Sequence, residues 1–142
     1  ALIEASLNDP MKALTMVNVF SRSTLCAPPS ALGPGTWVFG ASLALGRRVL
    51  ASNPAVNLFH RGFVACDRYA NGEVAITQIT CPVLFLLGGV DQMTPPKAAQ
   101  GLISKAREAG KAVKVETLPV GHHQMTETPD ETLAALQGFL KG

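Results

Sequence analysis

The 142 residues are 47% hydrophobic and 15% charged, enough apolar material for one ordinary core or two small coupled ones. Twelve Lys and Arg against ten Asp and Glu leave a net charge of +2, scattered along the chain rather than gathered into a stripe, which excludes the electrostatic footprint of a nucleic-acid binder. The longest apolar runs, Val83–Leu87 among them, fall far short of the roughly 20 residues that span a bilayer, so no membrane partner is expected.

The chain opens on Ala1 without methionine, and its first residues carry neither the basic nor the apolar region of a signal peptide. We therefore expect a piece of a longer cytoplasmic protein. Cys26, Cys66 and Cys81 are odd in number and show neither C-x-x-C spacing nor a histidine at metal-ligand spacing. They predict no disulfide framework and no zinc site.

Residues 1 to about 78 predict helices joined by turns, without the alternation of strands. Asn8-Asp9-Pro10 is a helix start, a capping side chain followed by proline where a missing N–H costs nothing. The helix it opens runs to about Phe20, with Met11, Leu14, Val17 and Phe20 near one face. Ala27-Pro28-Pro29 through Gly33-Pro34-Gly35 predicts a loop. A second helix from Thr36 to about Ala51 aligns Trp37, Ala41, Leu45 and Val49. Asn53-Pro54 repeats the capping signal for a third helix through Leu58, Phe63 and Cys66, with a stop near Asn71-Gly72.

From Pro82 the pattern changes. Val83-Leu84-Phe85-Leu86-Leu87 is apolar on both alternating faces, as in a strand buried on both sides of a parallel sheet, and Gly88-Gly89 ends it. Pro96 opens a helix through Leu102, Ile103 and Ala106 that ends near Gly110, and Val113, Val115 and Leu118 mark a second strand. Thr128-Pro129-Asp130-Glu131 starts a last helix with a capping box and a first-turn proline, and Leu133, Leu136 and Leu140 form its stripe. Strand, helix, strand, helix means α/β topology with parallel strands. Two strands cannot bury both faces, so the sheet is expected to continue elsewhere.

In an open α/β sheet functional groups gather beyond the carboxyl ends of the strands. Asp91 and His122 stand there, four residues past Leu87 and Leu118. An imidazole becomes a useful base when its other nitrogen donates to a fixed carboxylate, which selects the tautomer and stabilises the imidazolium. A serine giving its proton to the remaining nitrogen completes an acyl-transfer device.

The run Cys81-Pro82-Val83-Leu84-Phe85-Leu86-Leu87-Gly88-Gly89-Val90-Asp91-Gln92-Met93-Thr94-Pro95-Pro96 resembles the acid-bearing strand and loop of the α/β-hydrolase family. Leu118-Pro119-Val120-Gly121-His122, followed by Glu127, Pro129 and an amphipathic helix, resembles the family's histidine loop, and the 30 residues between Asp91 and His122 suit the intervening helix and strand. The resemblance implies Asp91 as triad acid, His122 as general base, no cofactor, residues 79–142 as the C-terminal part of the hydrolase core, and residues 1–78 as a helical cap.

The bland readings are a turn aspartate at 91 and a surface histidine at 122. His123 is the alternative base, set aside because the family's base directly follows the glycine. His122, His123 and Glu127 lack a geometry that would make them metal ligands, since adjacent histidines in an extended loop diverge. Trp37, Phe59 and Phe63 are cap core or pocket lining.

The family's nucleophile elbow, G-x-S-x-G, is missing. Gly40-Ala41-Ser42-Leu43-Ala44 imitates it and keeps the triad order, but too few residues precede it for the family's early strands, and a helix explains the same run. The expected function is thus that of a hydrolase fragment acting on a small ester or related acyl substrate, inactive alone, with its nucleophile and oxyanion hole outside these residues. The competing class is a non-catalytic binding protein that keeps the scaffold. Self-association through an exposed sheet edge is expected in either case.

Overall fold

The computed structural model describes residues 1–22 and 38–142. The predicted loop at 27–35, Cys26, Thr36 and Trp37 lie outside the described residues. The chain forms two compact units, the first from Ala1–Val19 and Pro34–Tyr69, the second from Phe20–Gly33 and Ala70–Gly142.

The first unit is helical. Helix α1 spans Leu2–Asn8, α2 Pro10–Phe20, α3 Val38–Ser52 and α4 Leu58–Arg68, with Phe20 already in the second unit. Asp9 caps α2 as its sequence predicts, accepting the Lys12 N–H at 3.0 Å ahead of Pro10. The cap of α4 is Asn57, which accepts the His60 N–H at 2.9 Å. Asn53-Pro54 opens a turn instead, closed by the Val56 N–H on the Asn53 carbonyl, because a capping side chain works only when the helix starts directly behind it. Helices α1 and α3 both pack on α4. Asn57 donates to the Ser6 carbonyl at 2.6 Å, and the Ser6 hydroxyl lies 3.1 Å from His60 Nδ1.

The buried faces differ from the predicted stripes. Small and polar residues go inside, with Ser6, Ala13 and Asn18 buried beside Leu14, while Met11 and Phe20 of the α2 stripe are exposed. On α3 Leu45 is 54% exposed and Gly46 is buried, so the inward face is rotated from the predicted one. Gly46 draws the helix close enough to Leu14 that a Cβ there would sit 2.8 Å from Leu14 Cδ2.

The second unit holds α5 (Gly72–Gln78), β1 (Val83–Gly88), a 3-10 turn (Pro96–Ala99), α6 (Gln100–Glu108), β2 (Val113–Leu118), α7 (Gln124–Glu127) and α8 (Pro129–Lys141). Asn71-Gly72, predicted to stop a helix, begins α5 instead, since α4 already ends at Arg68; α5 packs on α6. Strand β1 pairs with β2 in parallel from Val83↔Val113 to Gly88↔Leu118, with the helix α6 in the connection, the α/β character expected. Gly110 ends the α6 region at φ +70°, a left-handed turn that glycine adopts without a Cβ clash.

Two expectations fail at α8. Its cap residue Thr128 makes no capping side-chain bond, because α7 runs directly into it and its hydroxyl lies back toward the Gln124 carbonyl at 3.5 Å. Its inward residues are Thr132 and Ala135, whereas Leu133, Leu136 and Leu140 are 53%, 42% and 81% exposed. A helix shows one face to its sheet, and small side chains let α8 sit close to β2. Strand β1 is likewise half-covered from Val83 to Leu87 rather than buried on both faces.

Candidate active site

In-register parallel strands end side by side, so the loops after Gly88 and Leu118 leave the sheet together. Backbone bonds continue past the ladder: the Gly89 N–H donates to the Leu118 carbonyl at 2.7 Å and the Val90 N–H to the Val120 carbonyl at 3.1 Å. Gly88 permits the approach. A Cβ at Gly88 would collide with the Gly121 carbonyl oxygen and lie 2.8 Å from that of Val120, contacts that real Cβ atoms do not make. The absence of one side chain thus brings Asp91 to the loop that carries His122.

Asp91 is buried, its side chain only 3% exposed, and its carboxylate is saturated. Oδ1 accepts the Met93 N–H at 2.7 Å and the Thr94 N–H at 2.9 Å. Oδ2 accepts the Thr94 hydroxyl at 3.0 Å and faces His122 Nδ1 at 2.8 Å. Burial by itself pushes this carboxyl upward; the bonds from the Thr94 N–H, His122, the Met93 N–H and the Thr94 hydroxyl outweigh it and hold Asp91 below the usual aspartate range. The group is an anion at neutral pH.

His122 is held by its backbone and one ring nitrogen. Its N–H and that of His123 donate to the Ser21 carbonyl, at 3.0 and 3.3 Å. The Gly121 N–H just before it donates at 3.1 Å to Oε2 of Glu127, a buried residue. The ring's side chain is 38% exposed, so it reaches solvent from a fixed base. Against an ionised Asp91 the tautomer with the proton on Nδ1 is favoured, which leaves Nε2 with its lone pair free to accept a proton.

His123 is half-buried, its ring 6.0 Å from that of His122. Burial first, then the neighbouring His122 and Arg22, hold its pKa below the usual histidine value against Glu127 and Asp91. Burial also lowers the pKa of Arg22, whose Nε and one terminal nitrogen have no hydrogen-bond partner among the described residues, while Glu127 pulls it upward.

The structure therefore brings together the two residues the sequence singled out. Ser42 stands inside α3, not at a strand-to-helix turn. Glu127, weighed as a metal ligand, is engaged with the Gly121 N–H, and among the described residues no three His, Cys, Asp or Glu side chains cluster as a cation site. Sequence reasoning missed Thr94, Ser21 and Arg22. Thr94 alone left a signal, a hydroxyl three residues after an aspartate, a spacing that brings side chains together in turns. Ser21 acts through its carbonyl, which carries no sequence mark.

No protein-family model and no curated protein matches the chain. Among solved structures its fold is similar to that of an esterase, EaEST, from Exiguobacterium antarcticum, with a TM-score of 0.71 at 15% identity. The match covers 99% of this chain and 46% of the esterase, so the chain spans about half the length of that protein. At this identity the likeness is one of fold: the chain has an esterase-like α/β fold.

Proposed function

We propose that these residues belong to a hydrolase of small esters or related acyl substrates, in which Asp91 orients His122 and His122 is general base and then general acid. The observation that carries this reading is the 2.8 Å approach of His122 Nδ1 to a buried, ionised carboxylate, on a ring still open to solvent. The esterase-like fold supports it. Ser42 lies within a helix rather than at a strand-to-helix elbow, and on this reading the nucleophile is a serine outside residues 1–142.

On this reading the serine hydroxyl gives its proton to His122 Nε2 as its oxygen attacks the acyl carbon. The imidazolium is stabilised by Asp91, and the same proton passes to the leaving alcohol. Water repeats the cycle on the acyl-enzyme.

A fluorophosphonate probe on the full-length protein tests the assignment. We expect stoichiometric labelling of one serine outside residues 1–142, and loss of labelling in His122→Ala. Labelling of Ser42, or labelling indifferent to His122, would sink it.

A further inference from the structure

Asp91, His122 and Thr94 form a closed triangle. Asp91 Oδ2 lies 2.8 Å from His122 Nδ1 and 3.0 Å from Thr94 Oγ1, and Thr94 Oγ1 lies 3.2 Å from His122 Nδ1. We propose that the Thr94 hydroxyl is a positioning residue of this site, locking His122 in the tautomer with its proton on Nδ1. The proposal deepens the hydrolase reading and rests on it for its kinetic consequence.

The tautomer depends on where one hydroxyl proton goes. Thr94 has a single O–H and two acceptors within reach, Asp91 Oδ2 and, were it deprotonated, His122 Nδ1. A hydrogen bond to an ionised acceptor is roughly twice as strong as a neutral one, so the proton goes to the carboxylate. The oxygen then turns its lone pairs toward Nδ1. A ring nitrogen facing two oxygens, one charged and one with its proton committed elsewhere, is stable only as N–H. The alternative tautomer would set a lone pair against a carboxylate.

The division of labour at the carboxylate separates this role from turn formation. Both backbone donors of the turn, the Met93 and Thr94 N–H groups, bind Oδ1, while the hydroxyl and the imidazole share Oδ2. Removing the hydroxyl leaves the turn's backbone bonds intact. It opens one lone pair on a carboxylate that is 3% exposed and frees the ring to rotate or to exchange its tautomer.

The test is histidine-selective ¹⁵N NMR on the full-length protein, with kinetics on a p-nitrophenyl ester, for wild type, Thr94→Val, Thr94→Ala and Thr94→Ser. In wild type we expect a downfield Nδ1–H proton on His122, protected from exchange. Thr94→Val and Thr94→Ala should lose that protection and shift the ring nitrogens toward tautomer exchange, and Thr94→Ser should restore both. In kinetics kcat should fall about 5- to 30-fold with KM nearly unchanged, the effect of losing about 1–2 kcal/mol of hydrogen bonding.

If Thr94→Val does not fold, the Ala and Ser pair, which differ only in the hydroxyl, gives the same contrast. An unchanged Nδ1–H signal in the hydroxyl-free variants, or a serine variant no better than alanine, overturns the proposal. Activity retained in His122→Ala would overturn the hydrolase reading instead, and the NMR result would still decide the tautomer lock.

Discussion

The two units meet the same demand, close approach of backbone, in different ways. In the helical unit Gly46 sits against Leu14, and an added Cβ would meet the end of a side chain that can change rotamer. In the α/β unit Gly88 sits against the carbonyls of Val120 and Gly121, and an added Cβ would meet backbone that is itself bonded to Glu127 and Val90. The first contact has slack. The second has none, because moving Gly121 moves His122. Precision is thus placed where the two loops carry Asp91 and His122, and the Gly46 contact is the looser of the two.

The carboxylate comes first. Asp91→Asn keeps the shape but can no longer accept at both oxygens, so it must turn an N–H₂ toward either the turn or the imidazole. On the hydrolase reading we expect kcat of the full-length protein to fall about 10⁴-fold, the scale on which a wrong histidine tautomer acts. The sign on stability is also set: a carboxyl held below its unfolded value stabilises the fold above the ordinary aspartate range and loses that contribution as pH falls through the lowered value. Urea unfolding against pH should show this acid limb in wild type and not in the variant.

Next is the matched glycine pair. Gly88→Ala should destabilise by about 1–3 kcal/mol, since a clash with backbone cannot be relieved by a rotamer. It should also lower kcat about 10²-fold by displacing the histidine loop. Gly46→Ala gains helix propensity of about 1 kcal/mol and loses some of it to Leu14 repacking, so its stability should stay within about 1 kcal/mol of wild type with activity unchanged. Equal effects from the two alanines would mean that the Gly88 contact has as much slack as the Gly46 contact.

The smallest effect concerns His123. Its pKa lies below the usual histidine value, so in the unfolded chain it takes up a proton first as pH falls. Stability should therefore be highest above the ordinary histidine range and decline as pH drops from there toward the lowered folded value. His123→Gln should flatten that part of the curve without a large change in kcat.

Asp91 and His122 were legible because their signals are local: an apolar strand, a glycine stop, then a polar residue at the strand end. The parallel pairing and the order of β1, α6 and β2 were legible for the same reason. The buried faces were not. A leucine at helical spacing marks an apolar stripe, but which stripe turns inward depends on the neighbour, and α8 meets β2 through Thr132 and Ala135 while Leu133 and Leu140 face out. The capping box at Thr128 failed because α7, too short to leave a periodic signal, governs that junction. The supports of the histidine loop were hidden because two of them, the Ser21 carbonyl and the Gly121 N–H, are backbone groups that every residue carries.

On the hydrolase reading His122, held by Asp91, and not its neighbour His123, is the base. The direct measurement is kcat/KM of the full-length protein on p-nitrophenyl acetate for His122→Ala beside His123→Ala. We predict a loss of about 10⁴-fold or more for His122→Ala and less than about tenfold for His123→Ala. The reverse order, or two variants as active as wild type, would remove His122 from the role of base.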